Sequence, residues 1–214
     1  MILLMVKAEE IYYKKEVIKL KTTVISEKDI IVSKWAGGES RQYFIYPPEA
    51  SYVFRDFLFR VSMATSYSDE EVKYTNLENL TRHLIMLQGT AHVFHKNHYD
   101  IVLKPYENID VFDGGWESSA TGKVVDFNLM TNKNVSASMS VIDKSEVIKT
   151  DNTLNNKSWL MFFCGYGSAS FELPNSESID IVKNDLIIFE DIEGNIKIKV
   201  QINDSKLIKI FAAI

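Results

Sequence analysis

The sequence predicts an all-β protein made of two barrels in one chain, and three observations carry that expectation. From Val17 onward the chain runs in short blocks of Val, Ile, Phe, Tyr and Thr separated by clusters of Gly, Pro, Asn, Asp and Ser, as sandwiches and barrels do. No long amphipathic helix competes with these blocks. Two stretches also share one layout. Leu87-Gln88-Gly89 leads through a strand and a turn to Ile101–Asp113, and Phe163-Cys164-Gly165 leads in the same way to Ile179–Glu190. Gly89 precedes Phe112 by 23 residues and Gly165 precedes Phe189 by 24, which reads as an internal duplication of one β unit.

Taken in order, Lys7–Lys15 mixes Ala, Glu, Tyr and Lys, and Glu10 with Lys14 has helical i,i+4 spacing, so a short exposed helix and an irregular arm are both open there. Strands are expected at Val17–Ile25, Ile30–Lys34, Arg41–Tyr46, Phe57–Ala64, Arg82–Leu87, Ala91–His95, Ile101–Leu103, Ile109–Phe112, Val124–Met130 and Ser136–Ile142. Further strands are expected at Leu160–Cys164, Ser170–Leu173, Ile179–Ile181, Leu186–Phe189, Ile196–Ile202 and Leu207–Phe211. The polar segment Asp143–Lys157 sits where a connection between two domains would lie. The division this suggests is an N-terminal barrel over 1–142 and a smaller C-terminal barrel over 143–214, the latter completed by strands from the N-terminal segment.

With 214 residues, 46% of them hydrophobic, the chain has ample material for a core. A formal charge of −5 and a pI near 5.5, without any Lys/Arg block, argue against a nucleic-acid surface. A single cysteine, Cys164, cannot form an internal disulfide and reads as a small apolar strand residue, which fits a reducing compartment. Met1–Val6 is too short to span a bilayer and has neither a basic flank nor a small-residue cleavage site. A cytoplasmic protein with no membrane partner is therefore expected.

Strand alternation sharpens the chemistry. In Phe57–Ala64, Arg60 and Ser62 share a face with Leu58 and Ala64, while Phe57, Phe59, Val61 and Met63 share the other. Arg82 shares its face with Leu84 and Met86, and Asp126 shares its own with Asn128. Only Arg41, Arg55, Arg60 and Arg82 among the 24 cationic residues are arginine, so lysine supplies the solvated charge and two arginines are set within or at the start of apolar strands. A guanidinium offers a planar fork of donors to a carboxylate, either a ligand's or the protein's own Asp126 as a buried ion pair. His92, His95 and His98 stand three residues apart, but His92 and His95 face opposite ways in a strand and Lys96-Asn97 reads as a turn, so no metal is expected there. Asp69-Glu70-Glu71 and the acidic stretch after Phe189 read as solvated turns, and neither a phosphate-cradling loop nor a Gly-x-Ser-x-Gly elbow occurs. Trp35 and Trp116 each neighbour a glycine pair, Gly37-Gly38 and Gly114-Gly115, where an aromatic caps a pocket or covers a barrel end.

Four segments occur together in a recognisable order: Trp35-x-Gly37-Gly38-x-Ser40-x-Gln42, Phe57-x-Phe59-Arg60-Val61-Ser62-x-Ala64, Arg82-x-Leu84-x-x-Leu87-x-Gly89 and Asp126-Phe127-Asn128-x-Met130. In this combination the chain resembles the HutD/Ves family over about Ser33–Lys133, with the C-terminal part similar in its β character. The resemblance implies two cupin-like jelly-roll barrels in one chain, a bicupin. It also implies a ligand pocket in the N-terminal barrel involving Trp35, Gly37, Gly38, Arg60, Ser62, Arg82, Asp126 and Asn128. The family includes a protein associated with histidine utilisation, thought to bind a small acidic metabolite, and a stress-induced protein; a metal site is not its hallmark, and no cofactor is expected. Where the family usually has Asn-Gly-Gly-Gly after the tryptophan, this chain has Ala36-Gly37-Gly38-Glu39, so Glu39 could repel an acid or occupy its site; the usual basic residue further on is present as Lys133. The leading expectation is a non-enzymatic, regulatory binder of a small carboxylate. The alternatives are a cupin enzyme, metal-independent or metal-dependent, and a scaffold acting through oligomerisation such as a homodimer. For an enzyme, Asp126 is the one candidate base, and pairing with arginine would make it a poor one.

Overall fold

The computed structural model describes residues 20–35, 37–152, 157–190, 192 and 194–214. Ala36 and the arm Lys7–Lys15 lie outside them. Among the described residues the regular structure is strand throughout, apart from one 3-10 turn at Glu27–Asp29, and no helix is long and apolar enough to cross a membrane.

Contacts divide the chain into two compact units, one over Ile30–Val135 and one formed by the residues up to Asp29 with Ser136–Ile214. In chain order, β1 (Lys21–Ile25) belongs to the composite unit. The N-terminal unit then holds β2 (Val32–Trp35), β3 (Gly38–Tyr46), β4 (Phe59–Ser66), β5 (Val72–Lys73), β6 (Leu80–Gln88), β7 (Ala91–His95), β8 (Tyr99–Leu103), β9 (Asp110–Asp113), β10 (Ser118–Thr121) and β11 (Val125–Asn132). The composite unit resumes with β12 (Ser136–Ile142), β13 (Glu146–Asn152), β14 (Ser158–Glu172), β15 (Ser178–Val182), β16 (Leu186–Glu190) and β17 (Gly194–Ala213).

In the N-terminal unit a six-stranded sheet has the order β2-β3-β4-β11-β6-β9 and a four-stranded sheet the order β5-β10-β7-β8. Leu84, Met86 and Phe112 from the first meet Ala91, Val93, Leu103 and Ala120 from the second in one core. A second cluster gathers Phe57, Leu77, Leu80 and Met130 with Ile45, Ala50 and Tyr52. In the composite unit β1-β16-β14-β17-β12 form one sheet, with β13 also on β17 and β15 also on β14. Its interior is apolar, with Phe162, Phe171, Phe189, Ile187, Ile196 and Ile198 among its fully buried members.

The long strands of the composite unit merge segments that the sequence reads as separate. Leu160–Cys164 and Ser170–Leu173 fall largely within β14, and Ile196–Ile202 and Leu207–Phe211 within β17. Register shifts at Cys164/Tyr166 and Tyr166/Ser168 bend β14, so its first half pairs with β16 and its second with β15. Gly167 permits the bend: its φ is +72° and an added Cβ would lie 2.2 Å from the Asp204 carbonyl oxygen. The N-terminal unit makes the matching pairings with β6–β9 and β7–β8, so the two similar stretches repeat one pairing pattern.

Glu146–Asn152, inside the segment read as a connection, is a strand on β17, and it buries Ile148. Ser136–Ile142 pairs with Leu207–Ala213 and stands with the composite unit, whereas the 1–142 and 143–214 division assigns it to the N-terminal part. Val72–Lys73 and Ser118–Thr121 also form strands without an apolar block to announce them.

Candidate functional site

Antiparallel pairing sets the predicted residues on one face of the six-stranded sheet, because directly opposed residues share a face. One rung runs Ile45, Arg60, Met130, Arg82, Phe112; the next runs Gln42, Ser62, Asn128, Leu84, Asp110; a third holds Ser40, Ala64, Asp126 and Met86. The reverse face carries Phe59, Val61, Met63, Ile85, Phe127 and Leu129, all buried. Strands covered on both faces read as continuous apolar runs, and the arginines interrupt those runs on one side only.

Arg60 and Arg82 are both buried, on the same rung with β11 between them. Adjacent strands lie about 4.8 Å apart, which puts their Cα atoms roughly 10 Å apart. Arg60 Nε donates to Gln42 Oε1 at 2.8 Å, its Nη1 donates to Ser62 Oγ at 2.8 Å, and the guanidinium carbon lies 4.4 Å from the centre of the Tyr52 ring. Burial lowers the Arg60 pKa to about 10, and the nearby positive charges of Arg82 and Arg55 push the same way while Tyr52 opposes them. The Arg82 guanidinium lies over the rings of Tyr74 at 4.7 Å and Phe112 at 5.2 Å, and its Nε is buried with no hydrogen-bond partner. Among the described residues neither guanidinium makes a salt bridge to a carboxylate, so the Arg60–Asp126 ion pair anticipated as one alternative does not form. Gln42 is exposed at the β3 side of the cluster.

Asp126 sits two residues before Asn128 on the same face, partly buried. Burial pushes its carboxyl up to about 7, against the pull of Arg82, so the lowered pKa expected for an arginine-paired aspartate is reversed. Asn128 is buried with its Oδ1 unpartnered. The Tyr74 phenol is raised first by burial and then by the Asp126 carboxyl, with Arg82 opposing, which ties Tyr74 to both groups.

Trp35, Gly37 and Gly38 are not brought to the arginines. Gly38 opposes Ser66, six residues beyond Arg60 on β4, a distance of roughly 20 Å along an extended strand. Trp35 is 40% exposed, and its indole occupies the space where a Gly37 side chain would begin: an added Cβ would lie 2.2 Å from the ring. A Cβ on Gly38 would lie 1.8 Å from the Thr65 carbonyl oxygen. Local packing therefore accounts for both glycines. Glu39 opposes Thr65, on the face away from Ser40 and Gln42, and is salt-bridged to Arg41, so it neither blocks nor repels at the arginines.

The histidines part company. His92 packs on Phe94, and His98 stacks on Trp116 at the hairpin turn, where Asn97 has φ +65°. His95 is buried. One ring nitrogen, Nδ1, lies 2.7 Å from Ser118 Oγ and the other, Nε2, 2.8 Å from Asp110 Oδ2; Tyr99 donates its hydroxyl to Asp110 Oδ1 at 2.7 Å. Rings of Phe112, Trp116 and Tyr99 surround it. Ser118, His95 and Tyr99 come from the four-stranded sheet and Asp110 from the six-stranded one, so the chain of bonds latches the two sheets together. Among the described residues no three His, Cys, Asp or Glu side chains converge as a metal site would require. Cys164 is buried and its thiol pKa is raised to about 12 by burial and by Asp185.

Sequence reasoning missed Gln42 as a partner of Arg60, although it closes the Trp-x-Gly-Gly-x-Ser-x-Gln pattern, and it missed Tyr52 and Tyr74 altogether. Both tyrosines lie outside any recognisable motif, and only the path of the chain carries their rings to the guanidiniums.

Solved structures resemble this one across nearly its whole length. A conserved protein of unknown function from Pseudomonas aeruginosa PAO1 has a TM-score of 0.77 at 14% identity, covering 89% of this chain and 98% of its own. HutD from Pseudomonas fluorescens SBW25 has a TM-score of 0.71 at 17% identity, covering 88% and 97%. A Cupin 2 conserved barrel domain protein from Leptotrichia buccalis has a TM-score of 0.53 at 10% identity, covering 89% and 95%. At these identities the likeness establishes the fold: an all-β protein of the cupin-like class. No curated protein matches the sequence. The HutD family model matches residues 27–208, and the chain belongs to the HutD family.

Proposed function

We propose that this HutD family member binds a small carboxylate-bearing metabolite on the arginine face of its N-terminal unit, and that it acts as a regulatory binder in histidine or amino-acid utilisation or in a stress response. One observation carries the reading: two buried guanidiniums share a rung without a salt-bridged carboxylate among the described residues. A buried cation is costly unless paired, and a ligand carboxylate supplies the missing anion in the fork geometry that arginine favours. Ser62 and Gln42 hold Arg60 in place for it, and the rings of Tyr52 and Tyr74 orient the two guanidinium planes. On this reading each unit is a cupin-like jelly roll, the apolar interior of the composite unit serves stability, and the N-terminal unit serves binding.

The test is calorimetric titration and thermal unfolding with a panel of small carboxylic acids, including acids of histidine breakdown. The expected result is saturable binding with a raised melting temperature for wild type, lost in Arg60→Met and Arg82→Met while both variants stay folded. Unfolding of both variants, without any acid binding to wild type, would return the arginines to a structural role. A second reading, metal-independent acid/base catalysis, has its own support in Asp126, which titrates near neutral pH beside the anion anchors. Turnover of a bound acid that Asp126→Asn abolishes without loss of binding would establish it.

A further inference from the structure

We propose that the ligand carries, beside its carboxylate, a hydrogen-bond donor (an amide or amine N–H, or a hydroxyl) that is received by Asn128 Oδ1. The inference rests on the carboxylate reading above and names the chemical class of the acid. Two buried polar atoms on this face have no partner, and they are of opposite sense: Arg82 Nε is a donor and Asn128 Oδ1 an acceptor. A buried polar atom left unpaired is costly, so both being open on one face marks a place completed by something else. A carboxylate only accepts. It satisfies the arginines, but against Asn128 Oδ1 it would set lone pairs against lone pairs.

The face is polarised. Its first rung presents the donors of Arg60 and Arg82, and the next two rungs along β11 present the Asn128 oxygen and the Asp126 carboxyl. Asn128 Oδ1 is buried without a hydrogen-bond partner among the described residues. Asn128 stands one rung, about 7 Å along the strand, from the arginine rung, and the arginine side chains are long enough to shorten that gap at their tips. The donor therefore sits a few bonds from the carboxylate, as in 2-hydroxy acids, amino acids and N-acylamino acids. A plain aliphatic acid would fill the arginine end and leave the acceptor end dry and unpaired.

Matched probes that differ in the donor test this on the full-length protein. Lactate is compared with propionate, and N-acetylglycine with N-acetylsarcosine, by calorimetric titration against wild type and Asn128→Leu. The expected result is that the donor-bearing member of each pair binds wild type about tenfold or more tightly, and that Asn128→Leu erases the difference within each pair. Equal binding within both pairs on wild type overturns the inference and leaves carboxylate binding standing. A preference that persists in Asn128→Leu also overturns it, because the donor is then received elsewhere. Should Asn128→Leu not fold, the wild-type pairs decide alone. Absence of binding by all four acids removes the inference together with the reading it rests on.

Discussion

In the N-terminal unit His95 and Asp110, 1% and 3% exposed, are as thoroughly withdrawn from water as Arg60 and Arg82, at 7% and 6%, yet the two groups meet the cost of burial in opposite ways. The His95 cluster is closed. Both ring nitrogens and both Asp110 oxygens have protein partners, and the bonds tie one sheet to the other. The arginine cluster is open: Arg60 is held by neutral groups, Arg82 lies over two rings with its Nε unpaired, and Asn128 Oδ1 is unpaired too. Polar groups that satisfy one another make a latch, and the proposed acid site rests on polar groups left unsatisfied. Asp110, the one member of the His95 cluster on the six-stranded sheet, shares a rung with Asn128. The difference arises from side-chain partners, and the partners of His95 come from two sheets.

The largest expected effect separates the two clusters by stability. Asp110→Ala strands the His95 Nε2 and the Tyr99 hydroxyl and is expected to cost about 3–5 kcal/mol in chemical denaturation. Arg82→Met removes a buried charge that lacks a carboxylate partner and is expected to be neutral or to stabilise the free protein, at the expense of acid binding. Equal destabilisation by the two substitutions would break the comparison.

Next in size is a pH effect at Asp126. Its pKa in the folded chain, about 7, lies above the ordinary aspartate value near 3.8 that holds when unfolded, so the folded form binds the proton more tightly. That contribution is fully present at low pH and is lost as pH rises through the folded value. Asp126→Asn is therefore expected to raise the melting temperature by several degrees at pH 8 and to change it little at pH 4, read by thermal unfolding across the range. The same titration is expected to weaken acid binding as pH rises through 7, because an ionised Asp126 competes for Arg82. A pH-independent affinity would detach Asp126 from the open cluster.

The smallest effect concerns the glycine turn. Gly37→Ala pushes against the Trp35 ring and is expected to cost about 1–2 kcal/mol, with a change in tryptophan emission, while leaving acid affinity unchanged. A loss of acid binding in this variant would extend the proposed site to a turn that the register sets well apart from it.

Much of the fold was legible because strand grammar is local. Alternation at period two assigned Arg60 with Ser62, Arg82 with Leu84, and Asp126 with Asn128 to their faces before any pairing was known, and those faces are one face in the structure. Local composition could not reveal β5, β10 or β13, which are short or polar and become strands by pairing with neighbours. The partner of the Ser118 hydroxyl, His95 Nδ1, lies 23 residues away in sequence.

The candidate site divides along the same line. From the sequence alone come the all-β class, the shared faces, and the pair of arginines set against apolar strands, since each depends on neighbours one or two residues away. Register is a long-range property, and tertiary structure decided it: it set Arg60 and Arg82 on one rung, carried Trp35, Gly37 and Gly38 to the far end of β4, and turned Glu39 to the opposite face. Burial, which depends on everything packed around a group, raised Asp126 where simple pairing with arginine would have lowered it. The same packing sealed His95 between two sheets and left the arginines open, a distinction that no spacing of residues along the chain contains.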